Sequence, residues 1–117
     1  MNIEDLREYC LSKKGATENF PFDEVTLVFK VANKMFALTS LDEALRVNLK
    51  CNPEKAIELR EKYEYVLPGY HMSKTHWNTV LINEASNDKL VYKWIDDSYN
   101  LVINGLTKKE KEKVLNH

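Results

Sequence analysis

Three glycines, three prolines and two cysteines are all that this 117-residue sequence holds of the residues that most constrain a backbone. Gly15, Gly69 and Gly105 stand alone, so no glycine-rich cradle for a phosphate or dinucleotide can form. Cys10 and Cys51 are far apart and make no CxxC. They are expected as two reduced, buried thiols rather than a disulfide. Long apolar runs are missing too, and nothing approaches the roughly 20 residues of a membrane-spanning helix. The start, Asn2-Ile3-Glu4-Asp5, lacks the basic and apolar regions of a secretory signal. The expectation is a single cytoplasmic domain with no membrane partner, near the common domain size.

Acids are missing in places rather than overall. The segments 25–41, 44–53 and 65–83 contain none of the eighteen Asp and Glu, yet they hold Lys30, Lys34, Arg46, Lys50 and Lys74 together with His71 and His76. The formal net charge is −1, which by itself attracts neither nucleic acid nor anionic membrane. The charge is polarised between the segments that read as strands and those that read as helices, and a carboxylate-free sheet face attracts anions even on a neutral molecule. Strands are poor in acids by propensity, and edge lysines guard against aggregation, so the same pattern also fits a plain solvated sheet.

Periodicity supplies the elements. Ile3, Leu6, Cys10 and Leu11 lie at helical spacing after Asn2, a good N-cap, with Gly15 as the stop of a helix over about 3–13. A loop over 16–24 carries Phe20-Pro21-Phe22, expected as a lid on the core. Val25–Val31 alternates as a half-buried strand, a tight turn at Ala32-Asn33 or Asn33-Lys34 follows, and Met35–Thr39 returns. Leu45, Val47, Leu49 and Cys51 alternate with Arg46, Asn48 and Lys50, the cleanest period-2 signal. Asn52-Pro53-Glu54 opens a second helix. Strands are expected at about 70–72 and 76–82 after Pro68-Gly69. Asn87-Asp88 begins a third helix that Gly105 closes, and Thr107 with Glu110 forms a capping box for a fourth. Short turns make the strands antiparallel. The expected fold class is α+β, a two-layer sandwich with a five-stranded antiparallel sheet in the order α-β-β-β-α-β-β-α-α.

The stretch from Pro68 to Val80 mixes aromatic, imidazole, amide, hydroxyl and ammonium groups and has no acid. His71, His76 and Cys51 match no zinc spacing. Ser73 has histidines nearby in sequence, but there is no nucleophile elbow and no carboxylate to orient a base. No enzyme, metal or cofactor is expected. Trp94 reads as core, and Trp77 as packed under a helix in preference to stacking on a base.

Pro21-Phe22-Asp23, Thr26–Val31, Lys34–Leu38, Asn48-Leu49-Lys50-Cys51 with Pro53-Glu54, Pro68-Gly69-Tyr70-His71-Met72, His76-Trp77-Asn78-Thr79-Val80 and Ser98-Tyr99-Leu101-Val102 resemble, in order and over nearly the whole chain, the MmcQ/YjbR family. Ser73 stands where many relatives have Asn. The resemblance implies a compact fold like that of type III secretion chaperones, with a five-stranded antiparallel sheet, and DNA binding through a double-wing motif. On that reading the hairpins at about 32–34 and 72–76 are the wings. Lys30, Lys34, Arg46, Lys50 and Lys74 contact phosphates, and Asn48, His76 and Asn78 supply polar contacts. Neutralising about four phosphates gives a salt slope of about −3.6 in log K. Two alternatives stand beside it. One is a protein-interaction module with an exposed apolar patch. The other is a small-molecule or anion site around His71, His76 and Arg46, which requires a cupped face on which they converge. A monomer is expected.

Overall fold

The structure, a computed structural model, describes residues 1–116. Its elements run α1 (Ile3–Leu11), β1 (Thr17–Asn19), β2 (Thr26–Val31), β3 (Lys34–Ser40), β4 (Arg46–Lys50), α2 (Pro53–Lys62), β5 (Val66–Pro68), β6 (Trp77–Leu81), α3 (Asp88–Asn104) and α4 (Lys108–Leu115). The strands form one antiparallel sheet of six, in the order β1-β2-β3-β4-β6-β5. This corrects the expectation of five. The additional strand, β1, falls inside the segment read as a loop. The strand expected at 70–72 is instead β5, on the other side of Pro68-Gly69.

The helix starts follow their caps. Asn2 and Thr107 each form a complete capping box, with Asp5 and Glu110 reaching back. Asn52 and Asn87 accept from the first turns of α2 and α3. At Val31–Lys34 the backbone turns through Ala32 and Asn33, both at positive φ, the twist a two-residue hairpin needs.

All the helices cover one face. Leu27, Phe29 and Val31 of β2, Val47 and Leu49 of β4 and Val80 of β6 pack there with Leu6, Val91, Trp94, Ile95 and Val102. A β-bulge opposite Phe29 and Lys30 leaves Phe36 without a partner. The extra residue drops Phe36 into the core and turns Met35, paired with Lys30, to the opposite face, the re-aiming that bulges perform. Ser98 of α3, fully buried, completes the sheet where β3 and β4 separate. Its hydroxyl donates to the Phe36 carbonyl at 2.6 Å and accepts the Lys50 N–H at 2.9 Å.

The face away from the helices is not bare. Val28, Leu38 and Trp77 form a second buried cluster there, with Met35 and Met72 packed against it. Trp77 is therefore core on the open face, not under a helix as expected. No helix among the described residues is long and apolar enough to cross a membrane.

Candidate functional site

Alternation along β4 sends Val47 and Leu49 into the core and Arg46, Asn48 and Lys50 to the open face. Lys50 pairs with Trp77, Asn48 with Thr79 and Arg46 with Leu81, so these side chains share that face. Two hollows flank the Val28–Leu38–Trp77 cluster, and exposed Phe22 lines both. Phe20 and Phe22 are 45% and 64% exposed, which corrects the expectation that they lid the core.

The first hollow, about 520 Å³, lies at the Ala32-Asn33 end and reaches round to the C-terminal end of α3. Lys30, Lys34 and Lys50 line it beside Met35 and Trp77, and among the described residues no carboxylate does. Among the described residues none of the three lysines has an acid within ion-pair distance. Glu110, close enough to Lys34 to feel its charge, is held by the backbone and hydroxyl of Thr107, which keep its carboxyl below the usual range.

The second hollow, about 530 Å³, brings Arg46, Asn48 and His71 together with Tyr70 and Met72. Its charge is mixed, because Asp23, Asp42 and Glu43 also line it. Arg46 Nη2 sits 3.4 Å from Glu43 Oε2, while its buried Nε has no partner among the described residues. Asp23 is occupied by the backbone N–H groups of Thr26 and Val25 and by the Thr26 hydroxyl, which hold its carboxyl below the ordinary range. Asn48 Oδ1 accepts from the Thr79 hydroxyl.

The segment 69–76, which contains the second hairpin expected at about 72–76, folds back onto the open face instead. The Tyr70 N–H donates to Thr79 Oγ1 at 2.9 Å, and Met72 joins the buried cluster. Lys74 Nζ approaches the Gly69 carbonyl at 3.4 Å, and Arg60 Nη1 donates to the Lys74 carbonyl at 2.9 Å. A Cβ on Gly69 would lie 2.8 Å from the Cβ of Trp77, so only glycine fits there. His71 has a φ of 58°, rare for a residue with a side chain, and its ring lies 4.0 Å from that of Tyr70.

Lys30, Lys34 and Lys50 thus converge, and Arg46 and His71 meet in the other hollow, but exposed His76 lines neither. Asn78 is a correction. It is 3% exposed, on the helix side of β6, where its Nδ2 donates to the Ala56 carbonyl at 3.2 Å. It cannot meet a partner on the open face. Alternation sets Asn78 opposite to Trp77, so placing Trp77 under a helix sent Asn78 to the wrong face, and only the pairing of β6 with β4 corrects both. Sequence reasoning missed Phe22 and Met35 as lining residues and Ser98 as the group that fixes Lys50. Only the placement of Ser98 on the inward stripe of its helix hinted at the last.

The geometry has close counterparts. The uncharacterised YjbR protein of Escherichia coli K12 is 34% identical over 116 residues, 98% of each chain. The uncharacterised YyaQ of Bacillus subtilis is 27% identical over 113 residues, 84% of this chain and 95% of the relative. The crystal structure of Deinococcus radiodurans protein DR2400, a DUF419 domain, superposes with a TM-score of 0.90 at 38% identity, covering 97% of this chain and 87% of that one. A Pseudomonas syringae protein gives 0.75 at 28% identity, covering 86% of this chain and 98% of that one. The YjbR family model matches residues 11–101, from the last turn of α1 to the last turn of α3. That match takes in every strand of the sheet and all the residues that line the two hollows except Val102 and Gly105, and the chain belongs to the YjbR family.

Proposed function

We propose that this is a non-enzymatic binding protein whose lysine-lined hollow takes the phosphates of duplex DNA. The observation that carries the reading is the convergence of Lys30, Lys34 and Lys50 on a concave surface that no carboxylate of the described residues lines. Three ammonium groups in a hollow, without an ion pair among the described residues, focus a positive potential that the whole-molecule charge of −1 hides. The Ala32-Asn33 hairpin projects beside them as a wing. Arg46 contributes less than Lys30 or Lys50, because Glu43 already offsets part of its charge. Trp77, 8% exposed, is committed to the buried cluster and does not stack on bases.

Fluorescence anisotropy with a labelled duplex tests this. With about three phosphates neutralised, log K falls with log salt at a slope of about −2.7. Replacing Lys30, Lys34 and Lys50 together by Gln abolishes the slope and most of the binding. Absence of binding at low salt overturns the reading.

A second reading has its own observation. Phe22, Leu67 and Tyr70, at 64%, 41% and 55% exposure, leave apolar surface around the same face, as a protein-binding module requires. Association that salt scarcely weakens favours it over DNA.

A further inference from the structure

On the opposite face, between α2, α3 and the ends of β4 and β6, lies a cleft of about 250 Å³. It borders the lysine hollow only at Lys50 and Leu101. Its walls include Leu49, Leu59, Val80 and Trp94, and Cys51 and Asn78 complete the lining. Asn78 is the anomaly. Its Nδ2 donates to the Ala56 carbonyl at 3.2 Å, which fixes the orientation of the amide, because the flipped form would set two oxygens against each other. Its Oδ1 is then buried and has no hydrogen-bond partner among the described residues. An unpaired buried acceptor carries a desolvation penalty that a donor would relieve.

The charged groups at the mouth are already matched. Lys55 Nζ lies 3.7 Å from Glu58, and Asp97 accepts from Lys93 at 3.1 Å. The side chain of Lys50 alternates to the other face of the sheet. What remains at the rim is neutral amide from Asn52, Asn100 and Asn104. The cleft therefore selects a neutral guest with an apolar body and one inward donor. An engineered apolar cavity of roughly 150 Å³ holds benzene, so about 250 Å³ suits a fused two-ring system.

We propose that this cleft is a binding site for a neutral planar heteroaromatic compound whose ring N–H donates to Asn78 Oδ1. The site is independent of the DNA reading and uses the other side of the sheet. Indole is a suitable probe, and benzofuran, which has the same shape with oxygen in place of N–H, is its control. Cys51 reports occupancy. It lines the cleft and is only half-buried, so its thiol, though raised by burial and by Asp97, is within reach of a reagent, whereas Cys10 is fully buried with its thiol pushed up to about 12 by burial.

The experiment follows the rate of iodoacetamide alkylation of Cys51 in the full chain, with side-chain amide NMR signals as a second readout. Indole protects Cys51 with a half-maximal concentration of about 1 mM or below and shifts the Asn78 amide signals. Benzofuran needs at least about five times more, the ratio expected for one neutral hydrogen bond. In Asn78→Leu the two probes protect equally. Asn100→Trp, a change at an exposed rim position that leaves the core untouched, blocks protection by both and keeps the test decisive if Asn78→Leu fails to fold. Equal protection by indole and benzofuran in the unmodified protein, or none from indole up to about 5 mM, overturns the proposal. Neither result bears on DNA affinity.

Discussion

Val28 and Val47 are both fully buried on opposite faces of one sheet, and their surroundings differ. Val47 lies in the large cluster made by the sheet and its helices, where side chains on rigid elements pack against each other. Val28 shares a cluster with Leu38 and Trp77 alone, padded by Met35 and Met72. Methionine is unbranched and fills irregular gaps, so the open face is buried by adaptable material and flanked by hollows. The covered face specifies the fold, and the open face keeps relief on its surface while still burying the middle of the sheet.

A matched truncation breaks or sharpens this comparison. Val47→Ala is expected to cost about 2–3 kcal/mol, because the helices cannot close on the lost volume. Val28→Ala is expected to cost about 1 kcal/mol, because Met35 and Met72 can move into the space. Urea unfolding of the two variants measures the difference. Equal costs would mean that the methionine-padded cluster is as rigid as the main core.

Ser98 links the two faces. It stands between the Phe36 carbonyl and the Lys50 N–H where the β3–β4 ladder has stopped. Ser98→Ala leaves both backbone groups buried without that partner, so a loss of about 1–2 kcal/mol is expected. Because the bond also holds the strand that carries Lys50, hydrogen exchange at the Lys50 amide should rise by more than the global loss explains. If the amide exchanges no faster than its neighbours, Ser98 is a core residue and nothing more.

What the sequence made legible follows from how local each signal is. The caps Asn2, Asn52, Asn87 and Thr107 act within one turn, and all four stand where spacing placed them. The alternation of Arg46, Asn48 and Lys50 against Val47 and Leu49 is likewise written in adjacent residues. β1 was not legible, because its three residues join the sheet by backbone pairing to β2 and show no apolar alternation. Tyr70-His71-Met72 looked like a strand, yet the Gly69–Trp77 approach and the positive φ of His71 bend the chain back over the face. The site depended on long-range register. Only the pairing of β4 with β6 shows that Trp77, not Asn78, sits beside Lys50, and only the bulge at Phe36 turns Met35 toward Lys30.

The smallest stability effect belongs to the residues with the largest proposed role. Lys30 and Lys50 are half-buried at the lysine hollow and make no ion pair among the described residues. With no ion pair to lose among the described residues, folding gains little from their charge. Replacing both by Gln, which keeps most of the apolar stem, should change stability by less than about 0.5 kcal/mol while lowering DNA affinity at low salt. The pair of measurements separates a surface kept for a partner from one kept for the fold. A substantial loss of stability in the double variant would place these lysines with Ser98, as parts of the scaffold. A small gain in stability would show that their mutual repulsion persists in the free protein for want of an anion.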